Sequence, residues 1–250
     1  MTEILQVQNL VKRYGALAAT NDLSMTVLQG ELHGVIGPNG AGKTTFIHQL
    51  AGEVLPDQGR ILFDGADITR STVDARALHG IGRSYQITSI FKDFSVLDNV
   101  MLAVQARQGS SFRFWSAVRS DRTLYEPAYQ ALREVDLEQA AHRRAGSLGY
   151  GEMRQLEIAM TLAMRPRVLL LDEPMAGMSQ QESARLVELL RRLKGDYSIV
   201  LVEHDMDAVF ALADRITVLV YGTAIACGTP QQIQENQEVK NAYLGDDDEF

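Results

Sequence analysis

GPNGAGKTT, residues 37–45, lies between the apolar run LHGVI that starts at Leu32 and the segment TTFIHQLAG, and its reading decides the fold. It satisfies G-x-x-x-x-G-K-[ST], a strand-to-helix loop that cradles phosphate. Gly37, Gly40 and Gly42 leave the backbone free to take positive φ and approach an anion closely, so that successive N–H groups, those of Pro38's neighbours Asn39 and Ala41 included, turn inward. Lys43 adds a mobile point charge for the β- and γ-phosphates. Thr44 offers a hydroxyl to magnesium, Thr45 continues the helix, and a helix opening near Lys43 contributes the positive end of its dipole.

Working outward, the first 35 residues alternate apolar and polar positions in ILQVQNLV and LSMTVLQG, with the turn-like YGALAATND between them. Antiparallel strands feeding the phosphate loop follow from that pattern. Short strands are expected at RILFDG and IGRSYQ, with a helix between them from Val73 to His79. From Ile87 to Ala163 the pattern turns helical, in SVLDNVMLAVQAR, EPAYQALREVDL and EMRQLEIAMTLAM. The polar linker RQGSSFRFWSAVRSD carries Phe112, Phe114 and Trp115, either a small local core or a contact surface. Strands then alternate with helices again: VLLLD, QESARLVELLRRL, SIVLVE, MDAVFALAD, ITVLVYG and AIACG. This is an α/β chain with a mainly parallel sheet and a helical insertion of about 75 residues.

Composition narrows the function. The 250 residues suffice for a full core, and 46% hydrophobic with 22% charged content is ordinary for a water-soluble chain. Twenty-four basic against 32 acidic residues give a net charge of −8. That balance argues against a broad nucleic-acid surface, and four of the negatives sit in the tail, Asp246 to Glu249. MTEILQVQNL does not read as a secretory signal, and no run approaches the roughly 18 apolar residues of a membrane span. A cytosolic chain whose membrane role comes through a partner is expected. Cys227 is the only cysteine, expected as a buried strand thiol in TAIACG, and the five histidines show no ligand spacing, so no structural metal is expected.

A second chemical segment is VLLLDEP, Val168 to Pro174, where an apolar strand ends in adjacent carboxylates. In a parallel sheet ligands sit at the strands' carboxyl ends. Asp172 can hold magnesium and its waters, while Glu173 can orient or deprotonate an attacking water. SLGYGEMRQ, Ser147 to Gln155, is a glycine-bearing turn opening an amphipathic helix, which is either a second anion site or simply a cap. The order then carries the argument: phosphate loop, Gln86 after a strand, this turn, Asp172–Glu173, and His204 after a further strand.

That ordered set resembles the nucleotide-binding subunits of ABC transporters over essentially the whole chain. The resemblance implies a P-loop NTPase fold of the ABC type: a core with an antiparallel β subdomain over residues 1–86 and 164–245, an inserted helical subdomain over 87–163, and an acidic tail over 246–250. It implies that Tyr14 stacks on adenine, that residues 37–45 are the Walker A loop, and that Gln86 reaches both magnesium and the transmembrane partner. Leu148, Gly149, Tyr150, Gly151 and Glu152 would be the signature motif, Asp172 and Glu173 the Walker B pair, and His204 the switch histidine. ATP and magnesium would be bound between two such subunits, each site joining one chain's Walker motifs to the other's signature.

Two positions depart from the family pattern. LGYGE stands where LSGGQ is usual, so Gly149 replaces a serine whose hydroxyl faces the γ-phosphate, leaving backbone donors and the helix dipole. Ser179 stands where the D-loop usually ends in aspartate. The tyrosine–glycine signature, QLEIA, EHDM, GTPQQI and the ending NAYLG resemble the branched-chain amino-acid importer ATPases, and the long insertion resembles the longer ATPase of that pair. The expectation is therefore an ATP-hydrolysing subunit on the cytoplasmic side of the cell membrane. Its partners would be a second ATPase subunit, forming a heterodimer or, alternatively, a homodimer, permease subunits and, indirectly, an extracytoplasmic solute-binding protein, with no nucleic acid. Alternatives are a urea or amide importer, a lipopolysaccharide-type exporter and, less favoured, a non-transport ABC ATPase or a regulatory module without turnover.

Overall fold

In the computed structural model, which describes residues 2–84, 90–109 and 122–244, two sheets face each other across the first helix. Strands β1 (Glu3–Tyr14) and β2 (Leu17–Leu28) pair antiparallel, and β1 also pairs with β4 (Gln58–Phe63), whose outer neighbour is the two-residue β5 (Ala66–Asp67). The alternation in the sequence is satisfied on one face only: Leu5, Val7, Leu10, Leu23, Met25 and Val27 are buried. The connection is tighter than the sequence indicates. Gly15, at φ 60°, turns the chain and the strand resumes at Leu17, so most of YGALAATND is β2 rather than loop.

The second sheet has six strands in the order β10-β9-β3-β8-β7-β6. These are β3 (Leu32–Ile36), β6 (Ile81–Arg83), β7 (Val168–Asp172), β8 (Ser198–Val202), β9 (Arg215–Val220) and β10 (Thr223–Gly228), parallel except for the hairpin of β9 with β10. Every residue of β3, β7 and β8 is buried, as expected of central strands covered on both faces.

Helix α1 (Lys43–Ala51) fills the space between the sheets, burying Phe46, Ile47 and Leu50. Each such side chain contributes about 1.5–3 kcal/mol. α2 (Val73–His79) opens on a Thr72 cap, and its buried Arg76 donates to the carbonyls of Gln49 and Leu50 at the end of α1. On the other face pack α3 (Val96–Arg107), α4 (Arg122–Glu134) and α5 (Tyr150–Ala163), the three helices expected between 87 and 163. α4 begins earlier than its pattern suggested and contains Pro127. The carbonyl of Thr123, four residues before that proline, accepts from Gln108 Nε2. α6 (Gln180–Leu193) and α7 (Met206–Leu212) complete the alternation, and α8 (Pro230–Glu235) and α9 (Gln237–Leu244) follow β10. No described helix is long and apolar enough to cross a membrane.

Cys227 corrects an expectation. It lies exposed on β10, the edge strand of the sheet with only β9 beside it. A hydrogen bond with His33 draws the thiol below its ordinary range. Phe112, Phe114, Trp115 and the acidic tail fall outside the described residues.

Candidate active site

The strand order assembles the site. β8 lies between β3 and β7, with Val35 and Asp172 both in register with Val202, so three carboxyl ends open side by side. β3 delivers the phosphate loop, β7 delivers Asp172 and Glu173, and β8 delivers Glu203 and His204. Four of the expected elements thus meet although they are separated by up to about 165 residues of chain.

The loop's glycines are dictated by close approach. A Cβ on Gly37, at φ 154°, would sit 2.1 Å from the carbonyl oxygen of Leu219, and one on Gly42, at φ 98°, would sit 1.9 Å from that of Ala19. Gly42 is the residue before α1, whose first-turn N–H groups have no side-chain cap. Lys43 is buried and donates through Nζ to the carbonyls of Gly37 (2.6 Å) and Pro38 (3.0 Å), bracing the loop. Burial lowers its pKa, opposed by the charges of Glu173 and Asp172. Thr44 is exposed beside it and Thr45 is half-buried.

Asp172 is 2% exposed, and neither carboxylate oxygen has a hydrogen-bond partner among the described residues. Burial pushes its carboxyl above the ordinary range, with Arg83 opposing from 3.6 Å. A buried oxygen pair without a hydrogen bond, within the field of the phosphate-loop Lys43, fits a hard divalent cation such as magnesium, which takes one or two carboxylates and keeps waters.

Glu173 stands at φ 48°, the left-handed region that costs a non-glycine residue of order 1 kcal/mol or more. Its N–H still bonds Val202 O at 2.8 Å, so the strain sits where the chain turns off the strand. Its Oε1 lies 2.7 Å from His204 Nε2, which is half exposed. Below them the buried Glu203 accepts from the N–H groups of Met175 (2.7 Å) and His204 (3.1 Å), pinning both turns to each other. Burial raises the Glu203 carboxyl, with those backbone bonds opposing.

The remaining expected residues lie apart from this cluster or beyond description. Tyr14 ends β1 with 51% of its surface exposed and Lys12 Nζ 5.6 Å above its ring. Its pairing partner Leu17 is two residues from Ala19, which abuts Gly42. Gln86 falls outside the described residues. Leu148 is buried, and Gly149–Glu152 open α5. There the expectation of available backbone donors needs correction: Gly149 N–H is taken by Glu152 (2.9 Å) and Gly151 N–H by Glu182 (3.1 Å). Glu152 is in turn held by Arg143 at 2.8 Å.

Sequence reasoning missed Arg83, Glu203 and Glu182. Arg83 lies three residues before Gln86, yet only the pairing of β6 with β7 brings it to Asp172. Glu203 was visible as the residue before His204, and the Ser179-x-x-Glu182 spacing is a capping-box signal.

The family model for ABC transporters matches residues 20–176, and the chain belongs to that family as an ATP-binding subunit, a nucleotide-binding ATPase that drives transport. A second model, the branched-chain amino acid ATP-binding cassette transporter, matches residues 225–249. The chain is 38% identical to the high-affinity branched-chain amino acid transport ATP-binding protein BraF of Pseudomonas aeruginosa, covering 97% of this chain and 98% of that protein. It is 37% identical, with the same coverages, to the lipopolysaccharide export system ATP-binding protein LptB of Escherichia coli strain K12. Among solved structures, the ADP conformation of the ATP-binding cassette MJ1267 superposes with a TM-score of 0.87 at 28% identity, covering 98% of this chain and 100% of that one.

Proposed function

We propose that this chain is the ATP-hydrolysing subunit that energises an importer of branched-chain or other hydrophobic amino acids. The observation carrying the chemistry is the Glu173–His204 pair at 2.7 Å beside the phosphate loop. The match of residues 225–249 and the relatives named for branched-chain amino-acid transport support the substrate.

In this reading the backbone N–H groups of Gly37–Thr45 and Lys43 hold the β- and γ-phosphates, and Tyr14 stacks on adenine. Thr44, Asp172 and Gln86 would hold magnesium, which when bound neutralises phosphate charge. Glu173 orients and deprotonates the attacking water, using the carboxylate oxygen that His204 leaves free. His204 fixes that carboxylate, and Glu203 fixes both turns. The signature of a second ATPase subunit completes the site, while Leu148–Glu152 serve the partner's ATP. Permease subunits attach the assembly to the cytoplasmic face of the membrane.

Glu173→Gln keeps the side chain's shape and removes the base. Turnover should fall by about 10²-fold or more while ATP still binds, measured by phosphate release and calorimetry; unchanged turnover removes the base assignment. The 37% identity to an export ATPase favours a second reading, outward lipid transport. ATP-driven uptake of leucine by proteoliposomes carrying the intact complex separates the two.

A further inference from the structure

One carboxylate joins the two turns that the chain presents beside its signature. Glu182, in the first turn of α6, accepts from Ser179 N (3.0 Å), from Ser179 Oγ (2.6 Å) and, through its other oxygen, from Gly151 N (3.1 Å). The first bond, with that from Glu182 N to Ser179 Oγ, forms the capping box of α6. The third reaches across to α5 and takes one of the N–H groups that the first turn of a helix leaves free.

The contact is built rather than incidental. A Cβ on Gly151 would lie 3.1 Å from Glu182 Cγ and 3.2 Å from its Oε1, so the absence of a side chain there makes room for this carboxylate. Tyr150 strengthens the same junction by donating its hydroxyl to Ala176 O at 2.9 Å. The Ser179 hydroxyl, with the backbone bonds from Ser179 and Gly151, holds the Glu182 carboxyl below the ordinary range, so it is an anion at neutral pH.

We propose that Glu182 is a positioning residue that occupies the signature turn in place of phosphate, and that the partner's ATP must displace it from Gly151 before the composite site closes. This rests on the reading that Leu148–Glu152 serve the partner's nucleotide. Two negative groups cannot share one N–H donor without cost, so Glu182 lowers the affinity of that site. The displaced carboxylate has a place to go: a cavity of about 240 Å³ between the two helices has Gly149, Gly151, Glu152, Glu182 and Arg185 in its lining, and the last supplies a cation, while Arg143 already holds Glu152. Ser179, which stands where the family usually has aspartate, is the anchor that lets Glu182 release one partner and keep the other.

The test is Glu182→Gln in the intact transport complex. The amide has an acceptor oxygen at one of the two positions where the carboxylate has them, so it cannot accept from the Ser179 and Gly151 N–H groups together, and it carries no charge. The KM for ATP should fall roughly two- to fivefold, the size of one charge at a helix end. Loosened packing alone would raise KM, so an unchanged or higher KM overturns the proposal. Hydrogen exchange at the Gly151 amide should quicken in the variant and, in the unmodified complex, should change when ATP is added; an amide unaffected by either also overturns it. Gly149→Trp separates this from the parent reading, because a Cβ there meets nothing closer than 3.9 Å and the bulk projects from the turn. If that variant retains full ATPase activity, the signature assignment fails; if it is inactive and Glu182→Gln leaves KM unchanged, only the Glu182 role fails.

Discussion

Glu31, just before β3, and Asp172, at the end of β7, are carboxylates at opposite ends of the same sheet with 5% and 2% of their surface exposed. Glu31 is satisfied from every side: His33 Nδ1 at 3.0 Å, Arg215 Nε and Nη2 at 2.7 and 2.9 Å, and Leu28 N at 2.6 Å. Burial alone would raise its carboxyl, yet the bonds from His33, Arg215 and Leu28 outweigh it and bring the pKa down to about 2. Asp172 has no hydrogen bond among the described residues, and burial moves it the other way. The amino end of the sheet spends its polar groups on holding β2, β3 and β9 together. The carboxyl end leaves a buried carboxyl without a hydrogen bond, with the charge of Arg83, 3.6 Å away, as the first force opposing its burial.

The comparison is sharpened by substituting each acid in turn. Glu31→Gln should destabilise the fold by about 3–5 kcal/mol, since it leaves His33 and Arg215 facing no carboxylate, while the folded fraction binds ATP as before. Chemical denaturation and calorimetry read the two effects; a loss below about 1 kcal/mol would break the contrast. Acid should act through the same residue. Because its folded pKa of about 2 lies below the ordinary value of 4.5, its contribution is complete above pH 4.5 and lost as the pH falls towards 2. That loss is worth up to about 3 kcal/mol, and it should disappear from the pH profile of Glu31→Gln.

Asp172→Asn is expected to do the reverse. Magnesium-nucleotide affinity should drop by about tenfold or more, while unfolding free energy holds or rises slightly, because an amide is less costly to bury than a carboxylate without a hydrogen bond. A destabilised Asp172→Asn protein with unaltered nucleotide binding would show that Asp172 is a structural acid like Glu31.

Much of this was legible in the residue order. The periods of apolar residues located the core strands and helices because a buried parallel strand has to be continuously apolar and a packed helix has to repeat near 3.6. The glycines of residues 37–45, with Lys43 and Thr44, announced a phosphate cradle because their chemistry is local. The DE pair and His204 were legible as strand-end groups for the same reason. Other features were not local. YGALAATND looked like a loop because glycine and small residues are turn formers, yet pairing with β1 drew Leu17–Asp22 into a strand. Cys227 looked buried because its neighbours are apolar, although it lies on the edge strand of the sheet and is exposed.

The sequence by itself determined that there is a phosphate loop, an acidic strand end, and a family to which the chain belongs, since each of these is written in contiguous residues whose chemistry does not depend on what lies across from them. Only the tertiary structure decided the strand order that sets β8 between β3 and β7, and with it the 2.7 Å approach of His204 to Glu173. It likewise decided that one buried acid would be fully hydrogen-bonded and another left without a hydrogen bond among the described residues, and that Glu182 would sit on Gly151. These are through-space relations between distant segments, and hydrogen bonds and desolvation act only on the distances that folding creates.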